Sequence, residues 1–146
     1  EHDMTDFVLD PRLANDSILL ARGPLSQLRL MKAADCTWFL LVPEVNEISE
    51  ITQLSESEQF NLWKESQALS EWLLQCYPQC KLNIAAIGNV VSQLHVHHVV
   101  RYSDDPFWPA PIWGQKMERQ HSIRDIEAIQ KELNACSKFI SVEADR

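Results

Sequence analysis

The chain has 146 residues, 45% of them hydrophobic, enough for one packed core and too few for two ordinary domains, so a single domain over residues 1–146 is expected. That apolar share excludes the composition of a disordered chain. With 21 acidic against 13 basic residues, the formal charge of -8 repels polyanions, and no nucleic-acid polymer is expected as a partner.

No run approaches the ~18 uncharged apolar residues of a membrane span, and Glu1-His2-Asp3-Met4 lacks a leader pattern, so a cytoplasmic protein without membrane contact is expected. Cys36, Cys76, Cys80 and Cys136 show no Cys-x-x-Cys spacing, which indicates neither a zinc ribbon nor a disulfide framework.

From Phe7 to Ala21, Pro11 and Asn15-Asp16 divide the chain into two short elements around a turn, the second a strand over Ile18–Ala21 that ends at Gly23-Pro24. Leu28–Met31 and Thr37–Val42 are short, rich in aliphatic and aromatic residues, and predict an antiparallel pair stopped by Pro43. A helix begins near Ser55, where Ser55 and Glu58 form a capping box. Leu62, Leu69, Leu73 and Cys76 mark its buried face, Glu58, Glu65 and Glu71 its charge, and Pro78 its end.

Leu82–Ile87 reads as a strand broken by Gly88-Asn89, and Leu94–Val100 as a strand with His95, His97 and Val99 on one face and Val96, His98 and Val100 on the other. Pro106, Pro109 and Pro111 exclude a regular helix or central strand around Phe107–Gly114. A last helix starts at Ser122, with Ile126, Ile129, Leu133, Cys136 and Ile140 as its apolar stripe. The whole is an α+β fold: an antiparallel sheet of about five strands with two helices packed against it.

Three of the five histidines fall between Gln93 and His98. On a strand, the β-carbons of His95 and His97 stand about 6 to 7 Å apart, so both rings can address one phosphoryl group. A neutral ring would attack phosphorus while a protonated one donates to its oxygens. Asn89, Ser92, Gln93 and nearby backbone amides are candidate donors around the same group, and Arg101 a candidate cation. Hydrogen-bonded structural histidines, or metal ligands, are the alternatives that the residues leave open. A metal would need a third ligand, and alternation sends His98 to the other face.

Gly88-Asn89-Val90-Val91-Ser92-Gln93-Leu94-His95-Val96-His97 followed by Arg101 resembles the signature of the histidine-triad (HIT) superfamily, in particular a bacterial branch in which glutamine replaces the first histidine. Trp108-Pro109-Ala110-Pro111-Ile112-Trp113-Gly114 is similar to a second element of that branch. Leu40–Pro43 and Lys81–Asn83 resemble its strands before the long helix and before the catalytic loop.

The resemblance implies a hydrolase of nucleotidyl phosphoramidates or nucleotidyl phosphate anhydrides that works through a covalent nucleotidyl-histidine intermediate. His95 is then the nucleophile, its other ring nitrogen held by a backbone carbonyl, and His97 the phosphate-contacting histidine. Gln93, Asn83 and Asn89 are expected to bind substrate or phosphate. The resemblance further implies no cofactor, no metal for the attacking step, a nucleotide-derived small molecule as ligand, and a homodimer. Val90 stands where phosphoramidase members carry a hydroxyl. With Gln93, it motivates the alternative of a noncatalytic nucleotide-binding or regulatory module. Packing, base stacking and closure of the site are alternative roles for Trp108 and Trp113.

Overall fold

Pro11, read above as a break, instead starts a helix. In the computed structural model, which describes residues 6–136 and 138–142, helix α1 spans Pro11–Asp16. Asp10 caps it by accepting from the Arg12 amide at 2.8 Å, and Pro11 sits in the first turn, where its missing N–H removes nothing and its fixed φ is already helical. Glu1–Met4, read above for a leader, lie outside the described residues.

Strands β1 (Ser17–Arg22), β2 (Ser26–Met31) and β3 (Trp38–Pro43) then form an antiparallel meander. Helix α2 (Glu56–Cys76) follows the predicted capping box: Glu58 donates its amide to Ser55 Oγ, and Glu58 Oε1 accepts from the Ser55 amide at 2.7 Å. After it come β4 (Lys81–Ala86), β5 (Val96–Arg101), helix α3 (Ile123–Asn134), capped by Ser122 and Asp125, and the two-residue β6 (Ile140–Ser141).

The fold is α+β, with three helices and a six-stranded antiparallel sheet in the order β4-β5-β3-β2-β1-β6. The added strand is β6. Ile140 was expected on the stripe of the last helix, but the helix stops at Asn134, where the Ala135 amide turns back to Glu132 and Leu133. Ile140 instead pairs with Arg22 and satisfies backbone groups on the otherwise open edge of β1.

Because directly opposed residues share a face, the register separates two different surfaces. On one face, Leu28, Leu30, Phe39, Leu41, Val96 and Val100 pack with Leu62, Leu69, Trp72 and Leu73 of α2 and Leu133 of α3. Phe39 and Trp72 meet edge to face at 5.7 Å. His98 lies on this face, fully buried. Its Nδ1–H donates to the Val96 carbonyl at 3.3 Å, and its Nε2 accepts from the Ser66 hydroxyl of α2 at 2.7 Å.

Glu65, placed by sequence among the charges of α2, is also buried. Its Oε2 accepts from the amides of Leu25 and Ser26, each at 2.9 Å, and Oε1 accepts from the Ser26 hydroxyl at 2.7 Å. The carboxylate thus ties α2 to the β1–β2 turn, accepting from backbone donors that the turn itself leaves unpaired.

On the opposite face, Trp38, Leu40 and Val42 of β3 meet Met31 of β2, His97 and Val99 of β5, and Ala85 and Asn83 of β4. Among the described residues, no long helix covers it. Phe7, Leu9 and Leu13 pack over one end, and Phe107, Ile112, Trp113 and Met117 over the other. The uncovered middle is the cleft described next.

Candidate active site

The cleft has a volume of about 500 Å³ and runs across β3 and β5 between α1, the loop of residues 87–91 and the segment of residues 112–117. Its walls are mostly apolar, formed by Leu13, Met31, Leu40, Val91, Ile112 and Trp113, and its polar lining comprises Asp16, Asn89, His95, His97 and Gln115. Gly88 shapes the loop that closes one side. Its φ of 65° lies in the left-handed region, and a β-carbon there would press on the Val91 carbonyl at 3.3 Å.

His95 stands one residue before β5 and His97 within it, and alternation puts both rings in the cleft with centroids 4.8 Å apart and planes at 68°. His95 Nδ1 lies 2.6 Å from the Gln93 carbonyl. A carbonyl only accepts, so Nδ1 carries a hydrogen, and in the neutral ring the lone pair is on Nε2. His97 is held from two sides: the Trp38 indole N–H donates to its Nδ1 at 2.9 Å, and Trp113 meets it edge on at 5.3 Å.

The expected protonated partner is corrected. Burial, reinforced by the neighbouring His95 and His98, pushes the His97 ring down to about 3, so it is neutral at physiological pH. The same first cause, burial, against the Val96 carbonyl bond, brings His98 to about 4. Any hydrogen bond that His97 gives in the cleft therefore comes from a neutral ring.

Of the other residues expected at the site, Asn89 lines the cleft. Asn83 lies on the cleft face of β4 but is engaged, its Oδ1 accepting from Arg101 Nη1 at 2.9 Å. Gln93 is drawn away: its Oε1 accepts from the Asp10 amide at 2.8 Å and its Nε2 donates to the Val8 carbonyl at 2.9 Å, anchoring the segment that leads into α1. Val90 is exposed at the rim.

Arg101 is fully buried and serves the walls of the cleft. Nε and Nη2 clasp the Asp105 carboxylate at 2.7 and 3.1 Å, and Nη2 also donates to the Ala110 carbonyl at 2.9 Å. Asp105 in turn accepts from the amides of Phe107 and Trp108 at 3.0 and 2.8 Å. Burial alone would raise that carboxyl, but the Arg101 bonds and the Phe107 amide outweigh it and hold it near 2. The clasp fixes the proline-rich turn and separates the two tryptophans: Trp108 covers the Arg101 guanidinium at 5.5 Å, while Trp113 lines the cleft.

Sequence reasoning missed Asp16, the wall residues Leu13 and Met31, and the donor Trp38. Trp38 had a findable signal, since a two-residue offset on the adjacent strand puts it beside His97. Asp16 had none, because its place depends on how α1 docks. Among the described residues, no group of three His, Cys, Asp or Glu converges as a metal site, and the four cysteines are free.

The family model described as HIT domain matches residues 12–104. Solved structures agree over nearly the whole chain. A histidine triad protein from Marinobacter aquaeolei VT8 is 38% identical with a TM-score of 0.85, covering 89% of this chain and 95% of that one. One from Bradyrhizobium japonicum is 36% identical with a TM-score of 0.86, covering 89% and 97%. One from Sinorhizobium meliloti 1021 is 34% identical with a TM-score of 0.88, covering 92% and 99%. Comparison with curated proteins gives no match.

These matches overturn the expectation of a glutamine-substituted branch. The chain is similar to histidine triad proteins as such, and three of its five histidines, His95, His97 and His98, stand together in sequence. The side chain of Gln93 is spent on the backbone of residues 8 and 10, outside the histidine cleft.

Proposed function

The chain belongs to the HIT family, and we propose that it is a nucleotidyl hydrolase that forms and breaks a phosphorus–nitrogen bond on His95. The observation that carries this reading is the 2.6 Å contact of His95 Nδ1 with the Gln93 carbonyl, which in the neutral ring puts the lone pair on Nε2, in a cleft large enough for a nucleotide.

In the first half-reaction the Nε2 lone pair attacks the α-phosphorus, an N–P bond forms, and the bond to the leaving group breaks. The leaving group takes its proton from solvent at the open mouth of the cleft. The ring then carries a positive charge, which the Gln93 carbonyl stabilises through Nδ1–H. In the second half-reaction water attacks phosphorus and the N–P bond breaks. The nucleoside monophosphate departs, and the proton of the water goes to solvent, restoring neutral His95. His97 and Asn89 hydrogen-bond the phosphoryl oxygens. Asn83 and Gln93 act through Arg101 and the α1 segment that they hold.

The electrostatics of the cleft favour a phosphoramidate over a polyphosphate. No Lys or Arg is among the described residues lining it. Arg101 is neutralised by Asp105, and Arg12 donates to the Val90 carbonyl at 3.1 Å outside the lining. A singly charged α-phosphate with an amine leaving group needs only neutral donors, whereas a polyanionic leaving group meets Asp16 and a net charge of -8. A homodimer with one cleft in each copy completes the proposal.

Turnover of adenosine 5′-phosphoramidate and of dinucleoside polyphosphates by the wild type and by His95→Ala tests it. The wild type should hydrolyse the phosphoramidate with the higher kcat/KM, and His95→Ala should lose turnover while still binding nucleoside monophosphate. No turnover by the wild type on either panel, with monophosphate binding retained, would leave a binding module instead.

A further inference from the structure

The two cleft histidines make unlike hydrogen bonds, and the difference decides what each can do. His95 meets an acceptor at Nδ1, the Gln93 carbonyl at 2.6 Å. His97 meets a donor at Nδ1, the Trp38 indole at 2.9 Å. An indole nitrogen has no lone pair to offer, so it can bond only to an unprotonated ring nitrogen. In neutral His97 the single hydrogen must then sit on Nε2.

Resting on the hydrolase reading above, we propose that Trp38 is a positioning residue that locks His97 into the Nε2–H tautomer, giving the cleft one imidazole that attacks and one that only donates. Without the lock both rings could present a lone pair, and a phosphoryl oxygen approaching His97 would meet repulsion in a fraction of molecules. With it, His97 supplies a neutral N–H at no reorganisation cost when charge builds on the phosphoryl oxygens. The lock also opposes protonation, because an Nδ1–H would point at the indole N–H.

Backbone register makes the arrangement durable. Trp38 pairs with Val99 across β3 and β5, which places it diagonally from His97 on the same sheet face, and the rings lie 5.6 Å apart at 40°. Trp113 also packs against this imidazole, the ring centroids 5.3 Å apart and the planes at 73°. Leu40, directly opposite His97, is fully buried, so the strand pair cannot slip without exposing it.

The experiment is ¹⁵N-histidine NMR of the whole chain, with His97 assigned by a His97→Asn variant. In the wild type at pH 7, His97 should show an unprotonated Nδ1 and a protonated Nε2, and His95 the reverse. Trp38→Phe keeps a ring against His97 and removes the N–H. It should move the His97 nitrogens toward averaged values and lower kcat for adenosine 5′-phosphoramidate by about tenfold, with KM changed less than about threefold.

A wild-type His97 protonated at Nδ1 overturns the proposal without need of the variant, should that fail to fold. A folded Trp38→Phe with an unchanged His97 spectrum overturns it as well, as does one with unchanged kcat in a protein shown to turn over substrate. The predicted tautomers in a protein that hydrolyses neither substrate class would keep the lock and remove the hydrolase reading, so the two fail separately.

Discussion

Asp105→Asn tests whether the Arg101 clasp holds the proline-rich wall of the cleft. The carboxylate accepts two bonds from Arg101 and two from the Phe107 and Trp108 amides, and the side chains of Arg101 and Asp105 are 1% and 10% exposed. An amide keeps the shape but offers one acceptor oxygen and no charge, leaving a buried guanidinium without its counterion. Breaking such a pair from one side costs about 3–5 kcal/mol. Urea unfolding should show a loss of this order for Asp105→Asn. Arg101→Met in the same chain should add less than its own separate cost, by about 2 kcal/mol, because the two residues act as one unit. Acid should mimic the variant. The carboxyl titrates near 2 when folded and near 4 when unfolded, so its contribution is complete above the unfolded value and vanishes as pH falls through the folded one. A cost below about 1 kcal/mol, or strictly additive costs, would refute the clasp.

Gly23→Ala should destabilise by about 1–3 kcal/mol, because an added β-carbon would overlap Glu65 Oε2; thermal melts should show most of that cost gone in a Glu65→Ala background. Ser66→Val should cost about 1–3 kcal/mol by leaving His98 Nε2 buried without a donor, measured by the urea midpoint. His97 and His98 titrate near 3 and near 4 when folded, below the ordinary histidine value, so the unfolded chain takes up protons first. Stability should be complete above about pH 6.5 and fall below it by up to about 1.4 kcal/mol per pH unit for each ring, and urea midpoints that stay level from pH 7 to 5 would contradict this.

The sheet and both long helices were legible because their signals are local. The Ser55–Glu58 and Ser122–Asp125 caps, the stop at Pro78 and the alternation from His95 to Val100 each act within a few residues. Alternation also separated His98 from the cleft. Pro11 was misread because a proline serves a turn and a helical first turn equally well. Ile140 was misread because an apolar period cannot show that the edge of β1 offers a pairing partner.

Within the site, His95, His97 and Asn89 could be placed from spacing, because one strand and the loop before it carry them. The bonding partners of Gln93 and Arg101 were not legible, for a shared reason. Their partners, Val8 with Asp10 and Asp105 with Ala110, depend on how irregular segments dock on the sheet. The neutrality of His97 follows from burial beside two other imidazoles, a property of the packed state that residue spacing does not carry.

The most direct test of the central claim is a quench of the wild type in alkaline denaturant, where a histidine N–P bond survives, within one turnover of adenosine 5′-phosphoramidate, followed by peptide mass spectrometry. A peptide containing His95 should carry the added mass of an adenylyl group, appearing and decaying at rates compatible with kcat and missing in His95→Gln. Hydrolysis at full rate with no such adduct, or with the adduct on a different residue, would contradict it.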